Sequence, residues 1–347
     1  MTAKKILHVH FGKEGGAERF FVALAQAFDR HGVEQQFIVR PSQSWTPEIA
    51  SIGEITPGNF SHWMAATGIL QWKMRQISKN WQPDAILAWM PRASRLLPAS
   101  SNAVRMTRLG DFPTSLKYFT NTDVVVGNLP AIGTHVQSLG WTGAVATVSN
   151  FPRPITPKPV SRAAHDTPDD VFLAVAGGRF VTRKGMDVAI RAIEKTPGAW
   201  LWLLGGGPEE DDLRKLVTEL GVENRVKFIG WVDEAIHYIA AGDAFIMPSR
   251  HEPLGNMLLE AWRAGVPSVS TRSEGPDWYM RDGVDGIVTE IDDVDAVSAG
   301  LSKIQDSPEL AAEFTKNAAS RLDEMFSEKA VVEGYLDLIQ QYGKDQK

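Results

Sequence analysis

Short apolar runs alternate with helix-length amphipathic segments along this chain, and the alternation is broken once. Between Phe151 and Pro168, prolines stand at 152, 154, 157, 159 and 168 with no periodic apolar pattern. Alternation of this kind admits few folds, because strands joined by helices must run parallel and be covered on both faces. On the N-terminal side Lys5-Ile6-Leu7-His8-Val9-His10 reads as a strand. Glu18 to Arg30 then places Phe21, Leu24, Ala25 and Phe28 at helical spacing. Further strands are expected at residues 36–39, 85–88, 103–106 and 123–126. The proline stretch reads as an interdomain linker. Beyond it the pattern restarts with strands at 171–175 and 200–204 and a helix from Met186 to Lys195. The expected fold class is α/β: two doubly wound, Rossmann-like domains, residues 1–155 and 156–325, facing a central cleft. A helical tail, residues 326–347, follows.

Composition narrows the function. Hydrophobic residues make up 43% and charged residues 22%, as in a water-soluble globular protein. No apolar run approaches the roughly 18–20 residues of a spanning helix, and residues 1–5 lead into a strand without a signal-peptide core. With no cysteine, disulfides, thiolate metal sites and cysteine nucleophiles are excluded, and a cytoplasmic location is expected. The net charge of -6 is unevenly spread. Residues 1–150 carry 14 basic and 9 acidic side chains, the remainder 22 and 33. A basic first half fits an anionic membrane surface or a phosphorylated acceptor, and scattered surface charge accounts for the counts equally well. No nucleic-acid partner is expected.

The richest stretch is Pro248-Ser249-Arg250-His251-Glu252-Pro253-Leu254-Gly255-Asn256-Met257-Leu258-Leu259-Glu260. An apolar strand, Ala244-Phe245-Ile246-Met247, enters it and an amphipathic helix leaves it. The helix N-terminus offers free amides and partial positive charge, suited to a phosphate or a sugar edge. Glu252 precedes that helix and Glu260 lies about one turn inside it, so the carboxylates could hold hydroxyls at two ends of one ligand. Arg179 and Lys184 stand at another strand-to-helix junction, a rigid fork and a mobile point charge suited to anionic oxygens, and with Arg183 beside them they read equally as a solvated basic turn. Gly12-Lys13-Glu14-Gly15-Gly16 lacks dinucleotide and P-loop spacing. His8 and His10 share a strand face without a third ligand in view and read as packed histidines.

These segments resemble the retaining glycosyltransferases of the GT-B fold, family 4 in particular. The resemblance rests on Glu252 and Glu260 at Glu-x7-Glu spacing, on Gly178-Arg179 to Lys184-Gly185-Met186-Asp187, and on Gly205-Gly206-Gly207-Pro208. Phe228-Ile229-Gly230-Trp231-Val232 and Ala264-Gly265-Val266-Pro267 fall in the family's order, and Gly15-Gly16-Ala17-Glu18-Arg19 anchors the looser first half. The resemblance implies that Arg179 and Lys184 contact a diphosphate, Glu252 the transferred sugar and Glu260 the ribose. It gives the amides of Leu254, Gly255 and Asn256 sugar or phosphate oxygens, sets Gly15 and Gly16 toward the donor phosphate, and places the base near Trp231 and Val232. It also implies metal-independent chemistry, no cofactor beyond a nucleotide-diphosphate sugar, and a terminal helix packed on the first domain. Many relatives carry a histidine where this chain reads Arg105-Met106-Thr107-Arg108-Leu109-Gly110-Asp111. Asp111 is either its replacement or a turn aspartate.

The implied activity is transfer of a hexose to a cell-envelope glycan or glycolipid. His251 to Asn256 and Ser273-Glu274-Gly275-Pro276 resemble lipopolysaccharide enzymes. Trp63, Trp72 and Trp81 beside Lys73 and Arg75 fit a peripheral face at the inner membrane surface. The alternatives are a sugar-nucleotide epimerase of the same fold and a non-catalytic sugar-nucleotide-binding protein.

Overall fold

The computed structural model describes residues 4–12, 15–58 and 68–343. Trp63, Lys13 and Glu14 lie outside the described residues. The chain forms two compact units: one runs to Phe151 and resumes at Glu328, the other spans Pro152–Ser327.

In the first unit β1 (Lys5–His10), β2 (Glu34–Val39), β3 (Gly53–Pro57), β4 (Ala85–Trp89), β5 (Val104–Leu109), β6 (Val124–Gly127) and β7 (Ala144–Thr147) form one sheet. Its order is β3-β2-β1-β4-β5-β6-β7, and each pairing is parallel. Both faces of β1 are covered, as the near-continuous apolar run requires. Phe21, Leu24, Ala25 and Phe28 of the helix Gly16–Arg30 sit in the core beside the terminal helix Glu328–Tyr342. That terminal helix contributes Val331, Val332, Tyr335, Leu338 and Ile339 to the same core. Phe28 and Tyr335 meet edge to face at 5.7 Å, and Arg30 pairs with Glu328 at 2.6 Å. His8 and His10 are fully buried. His8 bonds Gln35 at 3.1 Å and receives Trp89 Nε1 at 3.3 Å, and burial pushes it down to about 3. Such a histidine is a neutral core residue.

The second unit holds β8 (Leu173–Arg179), β9 (Trp200–Gly206), β10 (Val226–Gly230), β11 (Ala244–Met247), β12 (Ser268–Thr271) and β13 (Ile287–Thr289). They run parallel in the order β10-β9-β8-β11-β12-β13. Sheet order reverses between β8 and β11, and open α/β sheets bind ligands outside the carboxyl ends at such a switch point. Period-2 alternation splits β8 between two cores. Ala174 and Ala176 face the helix Met186–Lys195, while Leu173 and Val175 face the helix Asn256–Arg263. Leu258 and Leu259 are fully buried, each worth about 1.5–3 kcal/mol, so the second helix is held firmly against the sheet.

Residues 152–161 carry no regular structure yet are tied to this unit. Arg153 forks onto Glu234 at 2.9 and 2.5 Å, and Arg162 reaches Asp243 at 3.0 Å. Side chains thus replace the ladder bonds that proline cannot donate.

Candidate active site

The candidate site of the second unit is built where β8 and β11 end. After β8 the chain turns through a short 3-10 segment, Thr182–Lys184, and enters the helix Met186–Lys195. After β11 it runs through Pro248–Gly255 and enters the helix Asn256–Arg263. Two backbone bonds join these connections: the amides of Arg250 and His251 both donate to Arg183 O, at 2.9 and 3.2 Å. Arg250 adds a fork onto Asp187 at 2.9 and 2.7 Å and reaches Asp292 at 2.7 Å. Asp187 sits in the first turn of its helix, where negative charge is favoured.

This framework brings Lys184 and Glu252 into direct contact. Lys184 Nζ donates to Glu252 Oε2, with side chains only 20% and 13% exposed. Ser249 Oγ approaches the same oxygen at 3.4 Å. Gly255, in the left-handed region at φ 87°, ends the loop and caps the helix Asn256–Arg263 without any side-chain hydrogen bond. No capping side chain covers the first amides of that helix, and the Leu258 amide donates to Gly255 O at 2.9 Å. Leu254 is buried, its carbonyl receiving Tyr279 Oη at 2.8 Å. Asn256 opens the helix and is half-buried.

Glu260 is half-buried one turn further on. Burial of its carboxyl raises its pKa to about 7, with Arg153 opposing and Glu234 adding to the rise. Arg179 ends β8 exposed, with no side-chain hydrogen bond or ion pair among the described residues. Val232 follows β10 half-buried, and the preceding Trp231 is 72% exposed.

The remaining candidates belong to the first unit. Gly15 caps the helix Gly16–Arg30 at φ 152°. The buried Glu18 tucks under this loop: a β-carbon at Gly12 would fall 1.7 Å from Glu18 Oε1, and His10 Nε2 lies 3.5 Å from that oxygen. Asp111 is exposed past the end of β5 and accepts the Phe112 amide at 2.8 Å, a contact typical of a turn aspartate. Asp293-Val294-Asp295 has the spacing of a metal motif, yet Asp293 caps its helix through Ala296 N and Asp295 pairs with Lys195.

Sequence reasoning assigned no role to Glu274, Ser249, Tyr279 or the Arg153–Glu234 pair. Glu274, Tyr279 and the Arg153–Glu234 pair act through backbone or long-range partners, which no local spacing announces, while Ser249 acts on Glu252 three residues on.

A family model described as "Glycosyl transferases group 1" matches residues 157–321. The lipopolysaccharide core biosynthesis glycosyltransferase LpsE of Rhizobium meliloti is 43% identical over 335 residues, 96% of this chain and 98% of that protein. Its LpsD counterpart in the same organism is 41% identical over 96% and 97%. Among solved structures, a glycosyltransferase from Rickettsia africae superposes with a TM-score of 0.86 at 16% identity, covering 99% and 100%. Anabaena HepE in complex with UDP-glucose superposes at 0.82 and 18% identity, covering 97% and 99%. These two likenesses speak for the fold, while full-length identity above 40% fixes the family. The chain belongs to the group 1 glycosyltransferases, the retaining, metal-independent GT-B enzymes of family 4, and transfers sugar from a nucleotide-sugar donor.

Proposed function

We propose that this enzyme moves a hexose from a nucleotide-diphosphate sugar onto lipopolysaccharide core, with the second-unit site holding the donor. The supporting observation is the Lys184–Glu252 pair beside the uncapped N-terminus of the helix Asn256–Arg263. As the bond from C1 of the sugar to the diphosphate breaks, negative charge grows on the departing oxygen. Lys184, Arg179 and the amides of Leu254, Gly255 and Asn256 stabilise that charge. Glu252 holds hydroxyls of the sugar as the carbon gains oxocarbenium character. The acceptor hydroxyl attacks from the face the diphosphate leaves and passes its proton to a diphosphate oxygen, so configuration is retained without a strong protein base. Core lipopolysaccharide as acceptor is supported by the names of LpsE and LpsD, matched over nearly their full length.

Purified enzyme offered UDP-, GDP- and ADP-hexoses with a truncated-core lipopolysaccharide should release one nucleoside diphosphate and extend the acceptor with an α-linked sugar. Nucleotide release and extension only with a different envelope acceptor would overturn lipopolysaccharide core as the acceptor.

Glu260 is the ribose ligand of this reading, and it must be ionised to accept two hydroxyls. Intact nucleotide sugar, whose diphosphate does not titrate near neutrality, should bind about 10-fold tighter at about pH 8 than at about pH 6. The sign follows from a raised carboxyl: with a pKa of about 7, the charged form accumulates only as pH rises through that value. The same shift means folding stability falls over that interval, because the folded state favours the proton. Calorimetric titration of wild type against Glu260→Gln checks this, the variant giving a flat profile. A flat wild-type profile would remove Glu260 from the ribose.

A membrane-facing surface is the second part of the proposal. Among the described residues no helix is long and apolar enough to cross a membrane. The helix Ile69–Trp81 exposes Trp72 at 59% and Ile69 at 39%, with Arg75 and Lys79 exposed along the same helix. Trp81 is half-buried beneath Lys5, 5.8 Å from its ring, and takes no part in that face. Trp72→Ala and Arg75→Glu together should abolish co-sedimentation with phosphatidylglycerol vesicles at low salt. Unchanged sedimentation would discard this face.

A further inference from the structure

The loop carrying Glu252 has no regular structure of its own, so something else must fix the direction of that side chain. The short helix Glu274–Tyr279, which follows β12, holds the Glu252 peptide at both polar atoms. Glu274 Oε2 accepts the Glu252 amide at 3.0 Å, and the Gly275 amide donates to Glu252 O at 3.0 Å. The other Glu274 oxygen meets His251 Nδ1 at 2.7 Å. One carboxylate therefore grips both residues of the His251–Glu252 peptide. Two further bonds from the same side, Thr271 Oγ1 to Ser249 O at 2.5 Å and Tyr279 Oη to Leu254 O at 2.8 Å, pin the ends of the loop. Gly275 itself touches the loop backbone, since a β-carbon there would fall 2.5 Å from Leu254 O.

From this geometry we infer that Glu274 is a positioning residue for the transfer reaction: it sets the Glu252 backbone so that the Glu252 carboxylate meets Lys184 and the sugar. The inference rests on the assignment of Glu252 above. A carboxylate bound to an amide is shorter and stronger than a neutral pair, suited to an element that must not drift. Glu274 remains a carboxylate in place: burial pushes it up, but its own amide, the Glu252 amide and His251 together bring it below the usual range. A misplacement of about 1 Å at a reacting group costs on the order of 100-fold. Glu274 touches none of the residues assigned to the ribose or base, so its loss should spare nucleotide binding.

Glu274→Ala should lower kcat about 10–100-fold with the sugar nucleotide that wild type consumes. Affinity for the matching nucleoside diphosphate should stay within about 3-fold. Glu274→Gln should recover most of the rate, since its amide oxygen can still accept the Glu252 amide while its NH2 meets the other imidazole tautomer. In a Glu252→Gln background, Glu274→Ala should cost little more, because the group it positions is already gone. Three results would each overturn the inference: full kcat in Glu274→Ala, equal losses in the Ala and Gln variants that track nucleotide affinity, or additive losses in the double variant. Should Glu274→Ala not fold, Glu274→Asp withdraws the carboxylate by one methylene and is read the same way. If Glu252→Gln itself transfers normally, it is the site assignment that falls; if only Glu274→Ala is normal, Glu274 alone does.

Discussion

Lys184→Ala should lower the transfer rate on the order of 100- to 1,000-fold, and Glu252→Ala should fall in the same range. In the proposed mechanism Lys184 delivers charge to the leaving diphosphate, and in the structure Glu252 is its direct partner. Because both side chains are mostly covered, removing either leaves the other's charge poorly compensated. Folding stability should therefore drop by about 1–3 kcal/mol in each single variant, too little to unfold an enzyme of this size. The double variant separates the effects. Residues acting as a unit are strongly non-additive, so Lys184→Ala with Glu252→Ala should be no slower than the slower single variant. Its stability should partly recover, since no lone charge remains. Steady-state kinetics and thermal unfolding on the three proteins decide the matter. Near-wild-type turnover in both single variants would remove the pair from catalysis.

Fold and site were legible in the sequence to different depths. Strands and helices announce themselves through periods of 2.0 and 3.6 residues, so β8 with its helix Met186–Lys195 and β11 with its helix Asn256–Arg263 could be read directly. Their adjacency at the switch point could not. It depends on β8 lying between β9 and β11, which is a fact about the sheet rather than about any segment. Motif order nevertheless pointed at Lys184 and Glu252, 68 residues apart, which the fold brings into contact.

The residues that were missed act through other contacts. Glu274 reaches a backbone amide 22 residues earlier, and an amide leaves no mark on residue choice. Arg108 is a second case. On β5 it looks like any charged strand residue, yet it is buried between Phe20 and Trp89, 4.9 Å from each ring, with Asn150 Oδ1 accepting its guanidinium. Arg105 on the same strand forks onto Asp123 instead. Only the partners distinguish them, and those come from distant parts of the chain.

Gly185→Ala should be more damaging than its one added carbon suggests, and Gly221→Ala supplies the control. Both glycines hold positive φ, at 64° and 65°. Alanine in that conformation costs about 1 kcal/mol at either place. Around Gly221 nothing lies within 4 Å of the added carbon, so that cost is the whole effect. At Gly185 the carbon would fall 2.0 Å from the Pro248 carbonyl oxygen and 3.0 Å from its carbonyl carbon. Those are backbone atoms that no rotamer change can move. Either the turn holding Lys184 or the loop holding Glu252 must shift, and the Arg250 and His251 amides bonded to Arg183 O resist both. Gly185→Ala should therefore lose about 2–4 kcal/mol, roughly 5–15 °C in Tm, against a loss of a few degrees for Gly221→Ala. Transfer should drop at least about 100-fold in the first, because Lys184 and Glu252 are pushed apart, and stay unchanged in the second. Thermal unfolding and turnover measured side by side give the answer. Equal behaviour of the two variants would mean that the two connections slide past each other freely, and that the close approach at Gly185 does not hold the ion pair in register.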